Sequence, residues 1–390
     1  MPKPNKFFQR TETKPVKIGK LIIGAGNPVR VQSMTQTKTW DVKATVRQIH
    51  ELEKAGCEII RVAIPDMQSA KAIGEIKKQI HIPLVADIHF QYLFALEVIK
   101  QGIDKVRINP GNIGGKEKVE AVVRACQEKN IPIRIGINMG SLEKDLYEKY
   151  GNYGVARVMI ESAIRNIKIL EDLQFYNIVV SLKGSDVATT RKAHQLFAQR
   201  FAYPQHVGIT EAGPTLGGIV KSSVGIGTIL SDGIGDTIRV SISGDPKDQV
   251  KIAWEILKSL KLRQKGVELI SCPTCGRTEI DLIGLATKVE KILAKVDAPI
   301  RVAVMGCVVN GPGEASFADI GLCGGKNQAA IIKQGKVIKT VQEKDALPVF
   351  IEEIKKVLTE KGYSQEIKKL VYKYSYPTLS VALGKQELKH

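Results

Sequence analysis

The sequence predicts an α/β protein, a (β/α)8 TIM barrel followed by a small α+β domain. Two observations carry that prediction. Over roughly the first 260 residues, eight short β-branched runs alternate with longer amphipathic stretches, the rhythm of a closed parallel sheet ringed by helices. Near residues 262–266 (LRQKG) the rhythm stops, and a shorter unit of strands and helices begins. The expected boundaries are 1–262 for the barrel, 267–363 for the second domain and 364–390 for a C-terminal tail. An open doubly wound sheet is the alternative, but it rarely needs so many equal units.

The eight runs read as strands are VRVQSM (29–34), IIRVAI (59–64), IPLVADI (82–88), KVRINP (105–110), PIRIGI (132–137), NIVVSLK (177–183), HVGITEA (206–212) and TIRVSIS (237–243). Between them, VKATVRQIHELEKAG, QYLFALEVIKQG and GVARVMIESAIRNIKILEDL repeat apolar residues at helical spacing. The glycine-rich segments GNIGGK (111–116) and GIGTILSDGIGDT (225–237) match neither a P-loop nor a dinucleotide fingerprint and are expected to be barrel loops. The first directly follows Arg107 and Asn109, where contact with a phosphate is conceivable.

A finer alternation points to the ligand. Arg61, Arg107, Arg134 and Arg239 each lie between aliphatic residues within a strand. Side chains two apart share a strand face, so the aliphatic set packs under the outer helices and the arginines point inward. Unpaired buried charges of one sign are costly, and a phosphate-bearing ligand resolves the conflict because guanidinium offers paired N–H donors to phosphate. The competing reading pairs each arginine privately with Asp87 or Glu211. His89, Asn138 and Lys183 fall at or just beyond strand ends, where barrel enzymes place their chemistry.

Composition narrows the class. The formal net charge is +18, but the lysines are scattered over amphipathic segments and aromatic residues make up 5%, so a nucleic-acid surface is not favoured. No run approaches the roughly 20 apolar residues of a membrane span, and the basic N-terminus lacks a secretory apolar core. A cytoplasmic protein is expected, binding neither nucleic acid nor membrane. Six cysteines are too few for a disulfide scaffold. Cys57 and Cys126 sit in apolar helical contexts and read as buried thiols.

The second domain concentrates the remaining cysteines. Cys272-Pro-Thr-Cys275 leaves a strand and enters a helix, and Cys307 ends the next strand within GCVVNGPGE. Three thiolates from neighbouring strand ends can surround one inorganic centre. Zinc is the rival, but structural zinc takes four Cys or His ligands, and here only Cys323 lies further downstream, with no histidine nearby. An iron–sulfur cluster with one unusual ligand fits better.

Together, MGCVVNGPGEA, SCPTCGRTEIDL, VADIHF, KVRINPGNIG, IRIGINMGSL, SLKGSD and ITEAG resemble the two-domain bacterial form of the 4-hydroxy-3-methylbut-2-enyl diphosphate synthase family, over roughly residues 13–360. The resemblance implies a TIM barrel with a sulfite-reductase-like iron–sulfur domain. It implies reductive ring opening and dehydroxylation of 2-C-methyl-D-erythritol 2,4-cyclodiphosphate in the non-mevalonate isoprenoid pathway. Electrons would come one at a time through a 4Fe–4S cluster, from reduced flavodoxin or ferredoxin, both acidic carriers. Carried over residue by residue, Cys272, Cys275 and Cys307 match the cluster thiolates and Glu314 its fourth ligand. Arg61, Arg107, Arg134 and Lys183 match diphosphate-holding residues; Asp87, His89, Asn138, Arg239 and Ser241 match other substrate-site positions; Glu211 matches the proton donor. The family also implies a head-to-tail homodimer, one chain's cluster domain capping the partner's barrel, with residues 262–266 as the hinge. A sulfite- or nitrite-type reductase would need a sirohaem site that the sequence does not offer.

Overall fold

The computed structural model describes residues 9–370. The chain divides into two compact units, the first ending at Arg263 and the second beginning at Gln264. The first opens with an antiparallel hairpin, β1 (Val16–Ile18) and β2 (Leu21–Ile23). Eight parallel strands follow: β3 (Arg30–Met34), β4 (Ile59–Ala63), β5 (Leu84–Asp87), β6 (Lys105–Ile108), β7 (Ile133–Asn138), β8 (Ile178–Lys183), β9 (His206–Val207) and β10 (Thr237–Ile238). Their order is β8-β7-β6-β5-β4-β3-β10-β9, and a parallel bridge between Val180 and Gln205 brings β8 beside β9 to close the ring.

The helices between them are α1 (Val42–Ala55), α2 (Met67–Gln79), α3 (Tyr92–Lys100), α4 (Pro110–Ile113), α5 (Lys116–Lys129), α6 (Lys144–Tyr150), α7 (Val155–Asp172), α8 (Val187–Ala198), α9 (Thr215–Ser231) and α10 (Pro246–Ser259). Aspartates start four of them: the carboxylates of Asp41, Asp66, Asp186 and Asp245 accept backbone N–H bonds from Ala44, Ser69, Thr189 and Lys247. Such caps satisfy donors that a helix start leaves open. Outward-facing Ile60, Val62, Ala86, Val106, Ile133, Ile135, Val180 and Leu182 are buried against the helices. Beneath the barrel, Val16, Ile18 and Ile23 of the hairpin pack on Ile59, Val85 and Val179, which face inward at the strand starts.

Two sequence expectations change. The seventh and eighth barrel strands are read as 206–212 and 237–243, yet each pairs regularly over only two residues. The Arg239 N–H still donates to the Val207 carbonyl at 3.0 Å. Left-handed backbone follows at Glu211 (φ +51°) and Gly213 (φ +102°), and an isolated parallel bridge then joins Pro214 to Ser243. The segments 111–116 and 225–237 are not loops throughout, since Gly111, Asn112 and Ile113 lie in α4, Lys116 starts α5, and residues 225–231 lie inside α9. Gly225 there is a packing device: a Cβ would fall 2.4 Å from Cγ1 of Ile209.

The second unit is a mixed five-stranded sheet in the order β11 (Glu268–Ser271), β12 (Arg301–Met305), β13 (Ile320–Gly325), β14 (Gln328–Lys333), β15 (Lys336–Gln342). The first three strands are parallel and the last two antiparallel. Helices α11 (Leu282–Leu293), the short α12 (Gly311–Ala315) and α13 (Glu343–Glu360) complete it. Its core joins Val302, Val304, Ile320, Leu322 and Ile331 to Phe350, Ile351 and Ile354. Of the expected tail, Ser364–Lys369 form a 3-10 turn that places buried Glu366 on the Asp297 N–H at 2.7 Å; residues 371–390 lie outside the described residues.

Candidate active site

The strand register fixes which residues line the barrel. Asp87 on β5 lies beside Arg107 on β6, Arg107 beside Arg134 on β7, and Asn138 beside Lys183 on β8. All share the inward face with Arg61, Lys105, His206, Arg239 and Ser241, because residues two apart repeat the face. Six basic side chains therefore point inward (Arg61, Lys105, Arg107, Arg134, Lys183 and Arg239) against one carboxylate on the same strands, Asp87.

Asp87 ties two of the arginines. Its Oδ2 lies 3.5 Å from Nη1 of Arg61, and its Oδ1 accepts from Nη1 of Arg107 at 3.1 Å. Burial alone would raise its carboxyl, but Arg61 and then Arg107 outweigh that and bring it down to about 2. Arg107 also contacts the exposed His89 ring and donates to the Gly136 carbonyl at 3.3 Å. Gly136 is required there: a Cβ would fall 2.2 Å from Nε of Arg107. Gly208 is held by backbone instead: a Cβ would fall 2.5 Å from the Arg239 carbonyl, with Nζ of Lys183 at 3.1 Å. Arg61 spends Nε and Nη2 on the sulfur of Met34, at 3.2 and 3.0 Å, a weak acceptor for so strong a donor.

Private pairing thus accounts for Arg61 and Arg107 but not for the rest. Arg134 is 1% exposed, and its Nε and Nη1 have no hydrogen-bond partner. Arg239 leaves Nε unpartnered, and no ion pair joins it to Glu211 among the described residues. Burial pushes the Arg239 guanidinium down to about 9, and burial followed by neighbouring arginines pushes Lys183 well below the usual amine range. Unsatisfied buried donors of one sign mark a place for an anion. Asn138 and Ser241 are half-buried on the same face, and Glu211 is exposed beyond the end of β9. Sequence reading missed Lys105 and His206, both fully buried inward-facing residues; the spacing of two from Arg107 was the available signal for the lysine.

The cysteines come together in the second unit. Cys272 follows β11 directly, and Cys307 lies two residues beyond β12. Cys275 does not enter a helix: it sits in a turn where its N–H donates to Oγ1 of Thr278 at 3.1 Å, and α11 starts only at Leu282. The Gly306 N–H donates to the Cys272 sulfur at 3.4 Å. Backbone N–H groups of Asn310, Val309 and Gly311 converge on the Cys307 sulfur and hold its thiol below the usual range. Glu314 stands exposed in α12, the short helix that this loop begins.

Cys323 behaves differently. It is fully buried on β13, and burial, then Cys307 and Cys272, push its thiol up to about 12. It is therefore a neutral neighbour of the site. Cys57 and Cys126 are likewise buried, and burial pushes both thiols to about 12.

N–H groups aimed at sulfur suit thiolates bound to an electron-transfer centre. A single zinc would hold each sulfur at about 2.3 Å and gather them tightly. Among the described residues, the one His/Cys/Asp/Glu trio with all ligand atoms within 4.8 Å is instead His50, Glu53 and His81 on the barrel exterior. There, hydrogen bonds from His81 to Glu53 and from His50 to the Gln79 carbonyl account for the side chains. The donor set of Cys272, Cys275 and Cys307 has the chemistry of an iron–sulfur site.

Comparison with known proteins places the chain in a family. A model of the GcpE TIM-barrel domain matches residues 13–254, and one of the GcpE protein C-terminal domain matches residues 268–356. A relative from Geobacillus kaustophilus is 55% identical over 370 residues, covering 95% of this chain and 99% of the relative. One from Bacillus subtilis is 55% identical over 364 residues, 93% of this chain and 95% of the relative. One from Thermodesulfovibrio yellowstonii is 56% identical over 350 residues, 90% of this chain and 100% of the relative. All three are named 4-hydroxy-3-methylbut-2-en-1-yl diphosphate synthase (flavodoxin). Matched in both of its units and more than half identical to such relatives over most of its length, the chain belongs to the GcpE family of 4-hydroxy-3-methylbut-2-en-1-yl diphosphate synthases.

Proposed function

We propose that this chain converts 2-C-methyl-D-erythritol 2,4-cyclodiphosphate to 4-hydroxy-3-methylbut-2-enyl diphosphate, by reductive ring opening and dehydroxylation in the non-mevalonate isoprenoid pathway. Counted on the neutral molecules, the change consumes two electrons and two protons, breaks the ring C–O bond to phosphate and releases the hydroxyl as water. The observation that carries this reading is the barrel interior, where the arginines outnumber the one carboxylate, Asp87, and Arg134 and Arg239 keep unpartnered donors.

In this reading Arg61, Arg107, Arg134 and Lys183 hold the diphosphate, while Asp87 keeps Arg61 and Arg107 aimed together. His89, Asn138, Arg239 and Ser241 position the rest of the substrate near the mouth. Glu211, exposed beyond β9, gives the proton that leaves with the hydroxyl. The barrel ending at Arg263 is the diphosphate-binding domain, and the unit from Gln264 is the electron-delivering one. Cys272, Cys275, Cys307 and the carboxylate of Glu314 hold a 4Fe–4S cluster there. When bound, that cluster supplies the two electrons one at a time. Glu314, a harder and more exchangeable ligand than a thiolate, stands on the exposed side of the loop, which suits a position that must open to substrate.

The electron donor is reduced flavodoxin or ferredoxin, and the surplus of 58 Lys and Arg over 40 Asp and Glu favours such acidic partners. Two chains pair head to tail as a homodimer, so that each barrel is served by its partner's cluster. Leu216, Ile219, Val220 and Val224 support pairing, since they leave an exposed apolar stripe on α9 at helical spacing. The protein works in the cytoplasm; among the described residues no helix is long and apolar enough to cross a membrane.

The test is anaerobic turnover of the cyclodiphosphate with a strong artificial reductant, with iron and sulfide quantified on the same sample. Product formed by protein carrying about four irons per chain is the expected result. A colourless protein holding zinc, or an intact cluster without turnover, would overturn the reading.

A further inference from the structure

One interior group has no place in that reading. Lys105 begins β6, two residues below Arg107 on the same face. It is fully buried, and its Nζ has no hydrogen-bond partner. The groups packed around it offer no counter-ion. Arg61 comes from β4 and Arg134 from β7, both cationic. Asp87 on β5 is already engaged by Arg61 and Arg107. Lys183 on β8 is another buried amine and no counter-ion, and His206 on β9 bonds Thr237 of β10 through Nδ1 at 2.8 Å. Gln32 on β3 is neutral, and its amide is itself unpartnered. Below it on β3, Arg30 is paired with Glu58, which also holds Arg263. On its own strand, neighbouring Asp104 is taken by Lys77 and the Leu84 N–H.

An ammonium in such surroundings suffers twice, from lost hydration and from guanidiniums on two sides. Unlike guanidinium, an amine has a ready way out, because it can release its proton. A diphosphate arriving on Arg61, Arg107 and Arg134 reverses the field that made the ammonium unfavourable. We propose that Lys105 is the proton-linked member of the anion pocket, neutral while the barrel is empty and protonated from solvent, one proton per site, when the diphosphate docks. Burial, and then Arg134 and Arg61, hold its amine well below the usual range, in keeping with that role. The empty barrel then carries one charge fewer to repel itself, and the filled barrel gains one where the ligand needs it. The inference rests on the anion-pocket reading above.

Proton uptake tests it. The cyclodiphosphate is titrated calorimetrically into anaerobic, unreduced holoenzyme at pH 8, in two buffers of different ionisation enthalpy. Both phosphorus atoms of this ligand are bridged, so it exchanges no proton itself near that pH. Wild type is expected to take up about one proton more than K105M, and K105R, whose charge is fixed, to match K105M. Affinity of wild type should also fall with pH between 7.5 and 9 more steeply than that of K105R, by about tenfold per pH unit. This second comparison decides the matter if K105M does not fold. Binding with equal proton counts, or with equal pH slopes, overturns the role of the lysine alone. Failure of wild type to bind the ligand at all overturns the anion pocket, and Lys105 with it.

Discussion

Gly136 shows how one missing methyl group shapes the pocket. Its position under the Arg107 guanidinium means that Gly136→Ala must displace the arginine, not the strand. The variant should fold normally and bind the cyclodiphosphate about 10- to 100-fold more weakly, as expected for one misplaced charged donor, read by calorimetry. Asp87 makes the complementary point about pH. Its carboxyl is brought to about 2 by Arg61 and Arg107 against the cost of burial, below its value in the unfolded chain. Its contribution to stability is therefore complete above about pH 4 and disappears as pH falls toward 2. Denaturant midpoints of wild type should drop through that window, and Asp87→Asn should start lower and change less across it. An unchanged slope in the variant would place the acid sensitivity elsewhere.

At the scale of elements, the loop after β12 makes the cysteines unequal. Three backbone N–H groups serve the Cys307 sulfur, whereas Cys323 is a fully buried neutral thiol on the adjacent strand. Cys307→Ser should lose most of the iron after anaerobic reconstitution, and Cys323→Ala should keep it; iron analysis with visible absorbance separates the two. Equal losses would make Cys323 a ligand and displace Glu314. The same elements show what was legible in the sequence. Period-two alternation placed Arg61, Arg107 and Arg134 inside, because a strand with one aliphatic face has only one way to turn. The same alternation puts Lys105 on that face, two residues before Arg107, but a lysine among so many solvated ones carries no local mark of how deeply it is buried. Nor could the alternation find where β9 and β10 stop pairing, because both β-branched runs continue in sequence past the two residues that pair. Gly225 and Gly227 read as loop residues, yet close packing against Ile209 puts the first in the middle of α9.

For the whole molecule, charge and apolar surface make separate predictions. With a net charge of +18, reduction by an acidic carrier should slow as salt rises, while turnover driven by a small artificial reductant should change little. Val220→Asp, on the exposed stripe of α9, should shift the sedimenting species from dimer toward monomer without changing the circular dichroism. A dimer that survives it uses another surface. The hairpin at the start of the chain has a consequence for traffic. Because Val16, Ile18 and Ile23 pack against Ile59, Val85 and Val179, the described part of the barrel is closed at its floor and is left to fill and empty through the mouth at the strand ends. Whatever enters must back out the way it came, so a departing diphosphate and an arriving one can never pass each other. Such a vessel is cleared before it is refilled, and its product should act as a purely competitive inhibitor of its substrate.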